Sequence, residues 1–280
     1  MSAAKTVDAH QHFWAVSRGD YGWLTPALKP LYRDFGPAAF APLARAAGVT
    51  QSIVVQAAPS VAETRYLLEL ARSHSFIAGV VGWVPLDDAE APTLIAELAR
   101  EPKFKGLRPM LQDLPDDDWI AGATLTPAVD AMAAHRLVFE ALVFTRHLPG
   151  LLAFAQRHPH LSIVINHGAK PPIAEGRAGW QPWADRIAAL ARLPHVRCKL
   201  SGLATEAAQR WTDETLAPYV EHLLRHFGAE RLMWGSDWPV LELNGDYGAW
   251  HACMRRLTAK LPIGERDAIF GATACVCYRI

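Results

Sequence analysis

Short apolar runs alternate with longer amphipathic stretches along all 280 residues. The apolar runs fall at 6–12, 51–58 (QSIVVQAA), 77–84 (IAGVVGWV), 104–111 (FKGLRPML), 137–144 (LVFEALVF), 161–168 (LSIVINHG), 196–203 (VRCKLSGL) and 231–237 (RLMWGSD). They are mostly continuous rather than alternating, as expected of strands covered on both faces. Between them lie helical patterns at 37–47, 60–74, 91–101, 126–135, 149–158, 182–192, 213–227 and 246–260. In the second, Leu67, Leu68, Leu70 and Ala71 form a stripe with Glu63, Arg65 and Arg72 off it. Stop signals such as Ala47-Gly48 and Phe227-Gly228 end several of them.

Strand followed by helix, repeated around the chain, predicts an α/β fold of the (β/α)8 TIM-barrel type. The rival is a doubly wound open sheet. That fold usually announces itself with a glycine-rich phosphate turn after its first strand, and neither GxGxxG nor GxxxxGK[ST] occurs here. No linker or low-complexity segment interrupts the pattern, so one domain over residues 1–280 is expected.

Composition narrows the choice of partner. The chain is 51% hydrophobic with a formal net charge of zero. Without a basic run or an arginine-rich helix, a nucleic-acid partner is not expected. The apolar stretches are too short to cross a bilayer. The N-terminus lacks a signal peptide's apolar region, which points to a cytoplasmic protein. Cys198, Cys253, Cys275 and Cys277 form no CxxC pair and read as reduced, mostly buried thiols. Apolar residues on the outer face are too scattered to define a contact patch, which leaves an oligomer open.

Barrel active sites lie at the C-terminal strand ends. In chain order those ends carry His10 and His12, Gln56, Trp83, Arg108, His147, His167, Lys199 with Ser201, and Asp237. In a regular strand His10 and His12 share a face, and Val7, Ala9 and Gln11 take the other. Two neutral imidazoles side by side can grip a metal ion or polarise one substrate atom. Each also has a plainer reading: buried hydrogen-bonded histidines, a turn-capping Asp237, or an Arg108 paired with Asp113. Together on one rim they favour chemistry, with Asp237 as base. Glu140, mid-strand among apolar residues, reads as structural. Met110, Met132 and Met233 read as core. His74, His135, His158, His160, His195, His222, His226 and His251 fall in or beside helices and receive no role. Residues 13–35, with Phe13, Trp14, Tyr21, Trp23, Tyr32 and Phe35, form a long loop that could roof the mouth. The Pro/Gly-rich AKPPIAEGRAGWQP borders it after His167.

Five stretches carry a family resemblance: VDAHQHFW, GLRPMLQ (106–112), NHGAKPPI (166–173), KLSGL (199–203) and RLMWGSDWP (231–239). The chain resembles the amidohydrolase superfamily of metallo-dependent-hydrolase-like barrels (amidohydrolase 2 type). The particular branch holds sugar-lactone hydrolases, such as those for L-fucono- and L-rhamnonolactone, and pyrone-dicarboxylate lactonase. The resemblance implies hydrolysis of a cyclic ester. His10 and His12 match its first-strand pair, His167 its later-strand histidine and Asp237 its last-strand aspartate. These four would form the ligand set for one divalent ion such as zinc, which lactonases of the branch do not strictly require. Two departures stand out. The branch often has Asp where this chain has Asn166. No bridging lysine or glutamate and no second later-strand histidine can be placed, which argues for one metal at most.

The implied mechanism has Asp237 take a proton from water, with His10, His12 and His167 polarising the lactone carbonyl. Arg108, Gln56, Lys199, His147, Trp14, Trp83 and Trp238 would hold the sugar. One alternative is a metal-dependent decarboxylase with the same His/Asp set. Another is a barrel that binds a sugar acid without turning it over; the complete His/His/His/Asp set counts against that one.

Overall fold

The computed structural model describes residues 5–280. Eight strands follow one another around a single parallel sheet in sequence order: β1 Val7–Gln11, β2 Gln51–Val55, β3 Ile77–Gly82, β4 Phe104–Leu107, β5 Val138–Ala141, β6 Ser162–Ile165, β7 Val196–Leu200 and β8 Leu232–Trp234. The outer layer holds α1 Pro37–Ala46, α2 Val61–Ser73, α3 Ala91–Leu98, α4 Thr126–Ala134, α5 Leu148–Arg157, α6 Arg177–Ala191, α7 Leu203–Glu206, α8 Asp213–Phe227 and α9 Tyr247–Leu257. The architecture is the (β/α)8 barrel. Beyond the pattern read from sequence are the short α7, an α6 that starts before Pro182, and α10 Ile263–Asp267; a π-helical turn joins α10 to the C-terminal α11 Thr273–Tyr278.

The barrel closes just past the end of β8. There the Asp237 amide donates to the His10 carbonyl at 2.8 Å and the His12 amide to the Trp238 carbonyl at 2.8 Å. Asp8 pins the seam, its Oδ1 accepting from the Ser236 amide at 2.9 Å and its Oδ2 from the Tyr247 hydroxyl at 3.1 Å. A Cβ on Gly235 would come within 2.7 Å of the His10 Cβ, so only glycine lets β8 pass this close to β1.

β1 departs from simple alternation. Val7 and Ala9 pack inside the barrel with Ile53, Val55, Val81, Val138, Val164 and Met233. His10 and His12 point inward as well, while Asp8 reaches outward to Tyr247 and Gln11 outward to Ser52 at 3.3 Å. The cause is a bulge: from Asp8 to Gln11 the register moves three residues on β1 for two on β2. The extra residue reverses the phase between Ala9 and His10. The expectation that Val7 and Ala9 face away from the histidines is therefore corrected. α11 plugs the interior, adding Ala274, Cys277 and Tyr278 to the same cluster.

Outside the sheet, the opposite strand faces and the helices share one continuous core. Phe13, Trp14 and Phe35 are buried in it, with Phe13 and Phe35 packed on Trp238. Most of the aromatic loop 13–35 is thus a wall of the fold rather than a roof over the mouth. The four cysteines are free, and all but Cys275 are buried. Among the described residues, no helix is long and apolar enough to cross a membrane.

Candidate active site

The bulge aims both β1 histidines at one point, leaving their Nε2 atoms 3.2 Å apart. Asp237 reaches the same point. Its Oδ1 lies 3.3 Å from His12 Nε2, 3.6 Å from His10 Nε2 and 3.8 Å from His167 Nε2. All four side chains are buried or nearly so. Their approach is bought with backbone strain. Asp237 has φ 59°, and His167, Gly168, Ala169 and Lys170 run consecutively at 54°, 58°, 63° and 47°. A left-handed turn of this kind costs about 1 kcal/mol or more for each non-glycine residue, and such strain gathers at functional sites. The turn carries His167 and Lys170 to the same mouth. The His167 ring is set by Ser201, whose Oγ is 2.8 Å from Nδ1. Gly202 makes room for it, because a Cβ there would fall 2.5 Å from His167 Nδ1 and its φ is +64°.

Burial keeps these imidazoles neutral. The His10 pKa lies well below the usual value for burial and the cations Lys199 and Arg108; burial lowers His12, and brings His167 to about 3. Burial alone would raise the Asp237 carboxyl. Positive charge beside it, on His167 and His12 whenever they take a proton and on Lys170, outweighs burial, so its pKa is lowered and the group is a carboxylate near neutrality.

Beneath the imidazoles lies a second polar layer, sealed from solvent. Lys199 Nζ sits 2.7 Å from both Glu140 oxygens and 3.2 Å from His10 Nδ1. Glu140 also accepts from the Asn166 amide at 2.9 Å and from the Tyr278 hydroxyl. Lys199 is therefore part of the support under His10 and does not line the mouth. Glu140, read from sequence as structural, completes that support. Tyr278 gave no signal, since nothing local shows that the C-terminal helix enters the barrel.

The mouth is a cavity of 230 Å³ lined by His12, His167, Asp237, Arg108, Lys170, Gln112, Asp113, Trp23, Met110, Ala57, Leu142 and Val240. Arg108 Nη1 stands 3.4 Å from His10 Nε2, and its Nη2 donates to the Gln56 carbonyl. Lys170 Nζ bonds Gln112 Oε1 at 2.6 Å. Of the remaining residues expected to hold substrate, Gln56 is buried and bonds the Arg108 carbonyl at 2.8 Å. Trp14 is buried, donating to the Leu31 and Arg33 carbonyls. Trp238 donates to Glu242 at 2.9 Å. His147 Nδ1 accepts from the Phe144 amide at 3.0 Å, and its Nε2 lies 2.9 Å from Asp117. Trp83 lines a neighbouring cleft. None of these five lines the 230 Å³ cavity. Met110 lines the cavity rather than the core, and sequence reasoning also missed Lys170, Gln112 and Leu142 as lining residues; the KP pair after His167 was the available signal for Lys170.

The donor set suits a divalent ion. Four atoms at 2.0–2.1 Å from a tetrahedral zinc lie about 3.3–3.4 Å apart. Asp237 Oδ1 stands 3.3–3.8 Å from the three Nε2 atoms, and His12, though 3.2 Å from His10, falls outside the group of mutually close ligand atoms. His12 Nδ1 is 2.8 Å from the Val55 carbonyl and must carry the proton there, so the neutral ring turns an electron pair on Asp237 Oδ1. Facing electron pairs call for a cation or a shared proton. His10, His167 and Asp237 offer ligand atoms within 4.8 Å of one another.

Barrel and site together define an enzyme of acid–base or metal-assisted chemistry, built around one carboxylate and its imidazoles. The amidohydrolase family model matches residues 7–280, and the chain belongs to that family. It is 52% identical to an L-fucono-1,5-lactonase of Burkholderia ambifaria, over 98% of this chain and 95% of that protein. It is 38% identical to an L-fucono-1,5-lactonase of Burkholderia multivorans, over 99% and 97%. Among solved structures, an amidohydrolase from Burkholderia multivorans with bound zinc superimposes with a TM-score of 0.95 at 38% identity, covering 99% of this chain and all of that one.

Proposed function

We propose that this chain opens the ring ester of a sugar-acid lactone, L-fucono-1,5-lactone being the first candidate, and releases the aldonic acid. One observation carries the chemistry: a buried carboxylate, Asp237, held among three neutral imidazoles at the wall of a small cavity. The lactonase relatives support the choice of substrate class. Asp237 takes a proton from the attacking water and returns it to the departing ring oxygen. Arg108 and Lys170 meet the oxyanion that forms on the carbonyl, with the imidazoles around it. Each preorganised donor of this kind is worth roughly 3 kcal/mol. His10, His12, His167 and Asp237 are the residues that would hold a divalent ion. Such an ion, zinc by the neighbour's example, supplies carbonyl polarisation when bound. Asp237, His10, His12, His167, Arg108 and Lys170 are thus the working residues.

The test is an aldonolactone panel followed by a pH indicator, with and without chelator. The proposal expects proton release from L-fucono-1,5-lactone well above the uncatalysed rate. No acceleration with any aldonolactone would overturn it. Release of CO₂ from an aromatic acid only with metal present would favour a decarboxylase instead.

A further inference from the structure

Beside the catalytic cavity lies a larger cleft of 450 Å³. Trp23, Met110 and Asp113 line both, so the two spaces adjoin at these side chains. Trp23 is fixed in that wall by a 2.7 Å bond from its indole to the Ala57 carbonyl. Trp83 and Trp119 supply two further indoles, and Asp87 holds the Trp119 ring by a 3.2 Å bond to its Nε1. Aromatic faces interleaved with carboxylate acceptors match the two surfaces of a pyranose, whose axial C–H groups are apolar and whose rim is a ring of hydroxyl donors. The carboxylates make the cleft a poor home for a second acid. The catalytic cavity by itself, at 230 Å³, is below the ~300–1,000 Å³ usual for ligand pockets.

We infer that this cleft is a second carbohydrate subsite, so that the enzyme accepts 1,5-lactones of aldobionic acids, in which a neutral pyranose is joined to the hydroxyl opposite the lactone carbonyl. The inference rests on the lactonase reading for its orientation. The subsite requires the carbonyl carbon against Asp237 and the far side of the ring toward Trp23, Met110 and Asp113, the side chains that line both spaces. In a six-membered lactone the 4-hydroxyl stands across the ring from the carbonyl, so a 4-linked sugar is directed past these three side chains into the adjoining cleft. Ring opening is unchanged: water adds at the carbonyl, the ring C–O bond breaks, and the glycosidic bond is untouched.

The experiment compares L-fucono-1,5-lactone with cellobiono- and maltobiono-1,5-lactone in the parent, Trp119→Ala and Trp119→Phe. Trp119 lies outside the catalytic cavity. The expected result is that the parent turns over an aldobionolactone and Trp119→Ala lowers its kcat/KM about tenfold, the equivalent of about 1.4 kcal/mol. The same variant keeps kcat/KM on the monosaccharide lactone within about twofold. Trp119→Phe, which retains an aromatic face, recovers most of the loss. Saturation-transfer NMR with cellobiose and maltose reads occupancy without turnover, the signal being present in the parent and absent in Trp119→Ala. If the parent hydrolyses the monosaccharide lactone but neither hydrolyses the aldobionolactones nor shows the disaccharide signal, the subsite is refuted. Equal losses on both substrate classes refute it too. If no lactone is turned over, the lactonase reading fails, and the NMR arm alone decides whether the cleft binds a neutral sugar.

Discussion

Replacing Lys199 with Met isolates what the sealed ion pair contributes. Lys199 and Glu140 are both fully buried, 2.7 Å apart, and no water reaches either. Removing the ammonium leaves a carboxylate that keeps only the Tyr278 hydroxyl and the Asn166 amide as donors. Breaking a buried pair from one side costs about 3–5 kcal/mol. Two donors remain, so the lower end applies, and Lys199→Met should lose about 3 kcal/mol in urea unfolding at neutral pH with an unchanged slope. Glu140→Gln added to it removes the stranded charge and should return more than half of that loss. The coupling follows from the double-mutant cycle of the two single variants with the pair. A Lys199→Met protein within about 1 kcal/mol of the parent, or a double variant no more stable than the single, would show that no stranded charge is left at Glu140.

Gly202→Ala should cut kcat sharply while leaving the far-UV spectrum unchanged, because the new Cβ would come 2.5 Å from His167 Nδ1 and push the ring off Ser201; parental kcat would show that the ring position is unimportant. Stability should fall on acidification. His167 is held from 6.5 down to about 3 by burial, so between those values the unfolded chain binds more protons than the folded one. Asp8 and Glu63 oppose this, since burial raises their carboxyls to about 6 and about 7 and favours the fold as pH drops through those values. His167→Gln should accordingly lose less stability than the parent between about pH 7 and about pH 4, and an identical loss in both would contradict the assignment.

How much was legible in the sequence follows from period and from distance. The strand and helix spans could be read because each run is long, apolar and bounded by polar or glycine-bearing turns. The phase of β1 could not, because a bulge adds one residue without changing composition, and it decides which side chains enter the barrel. His10, His12, His167 and Asp237 announced themselves as polar residues at apolar strand ends. Trp14, Trp238 and His147 looked alike in that respect, and only packing separates them: Trp14 and Trp238 are locked into the loop wall, and His147 is tied to Phe144 and Asp117. Glu140 and Tyr278 lie 138 positions apart, so their bond exists only once α11 has entered the barrel.

The proposed chemistry stands on Asp237 as the proton acceptor of a site it shares with three imidazoles. The direct measurement is kcat/KM on L-fucono-1,5-lactone for Asp237→Asn against the parent, each in chelator and each with its melting temperature. Loss of a general base predicts a fall of about 10²- to 10⁴-fold with the melting temperature retained. Turnover within about threefold of the parent, by an equally stable variant, would contradict it.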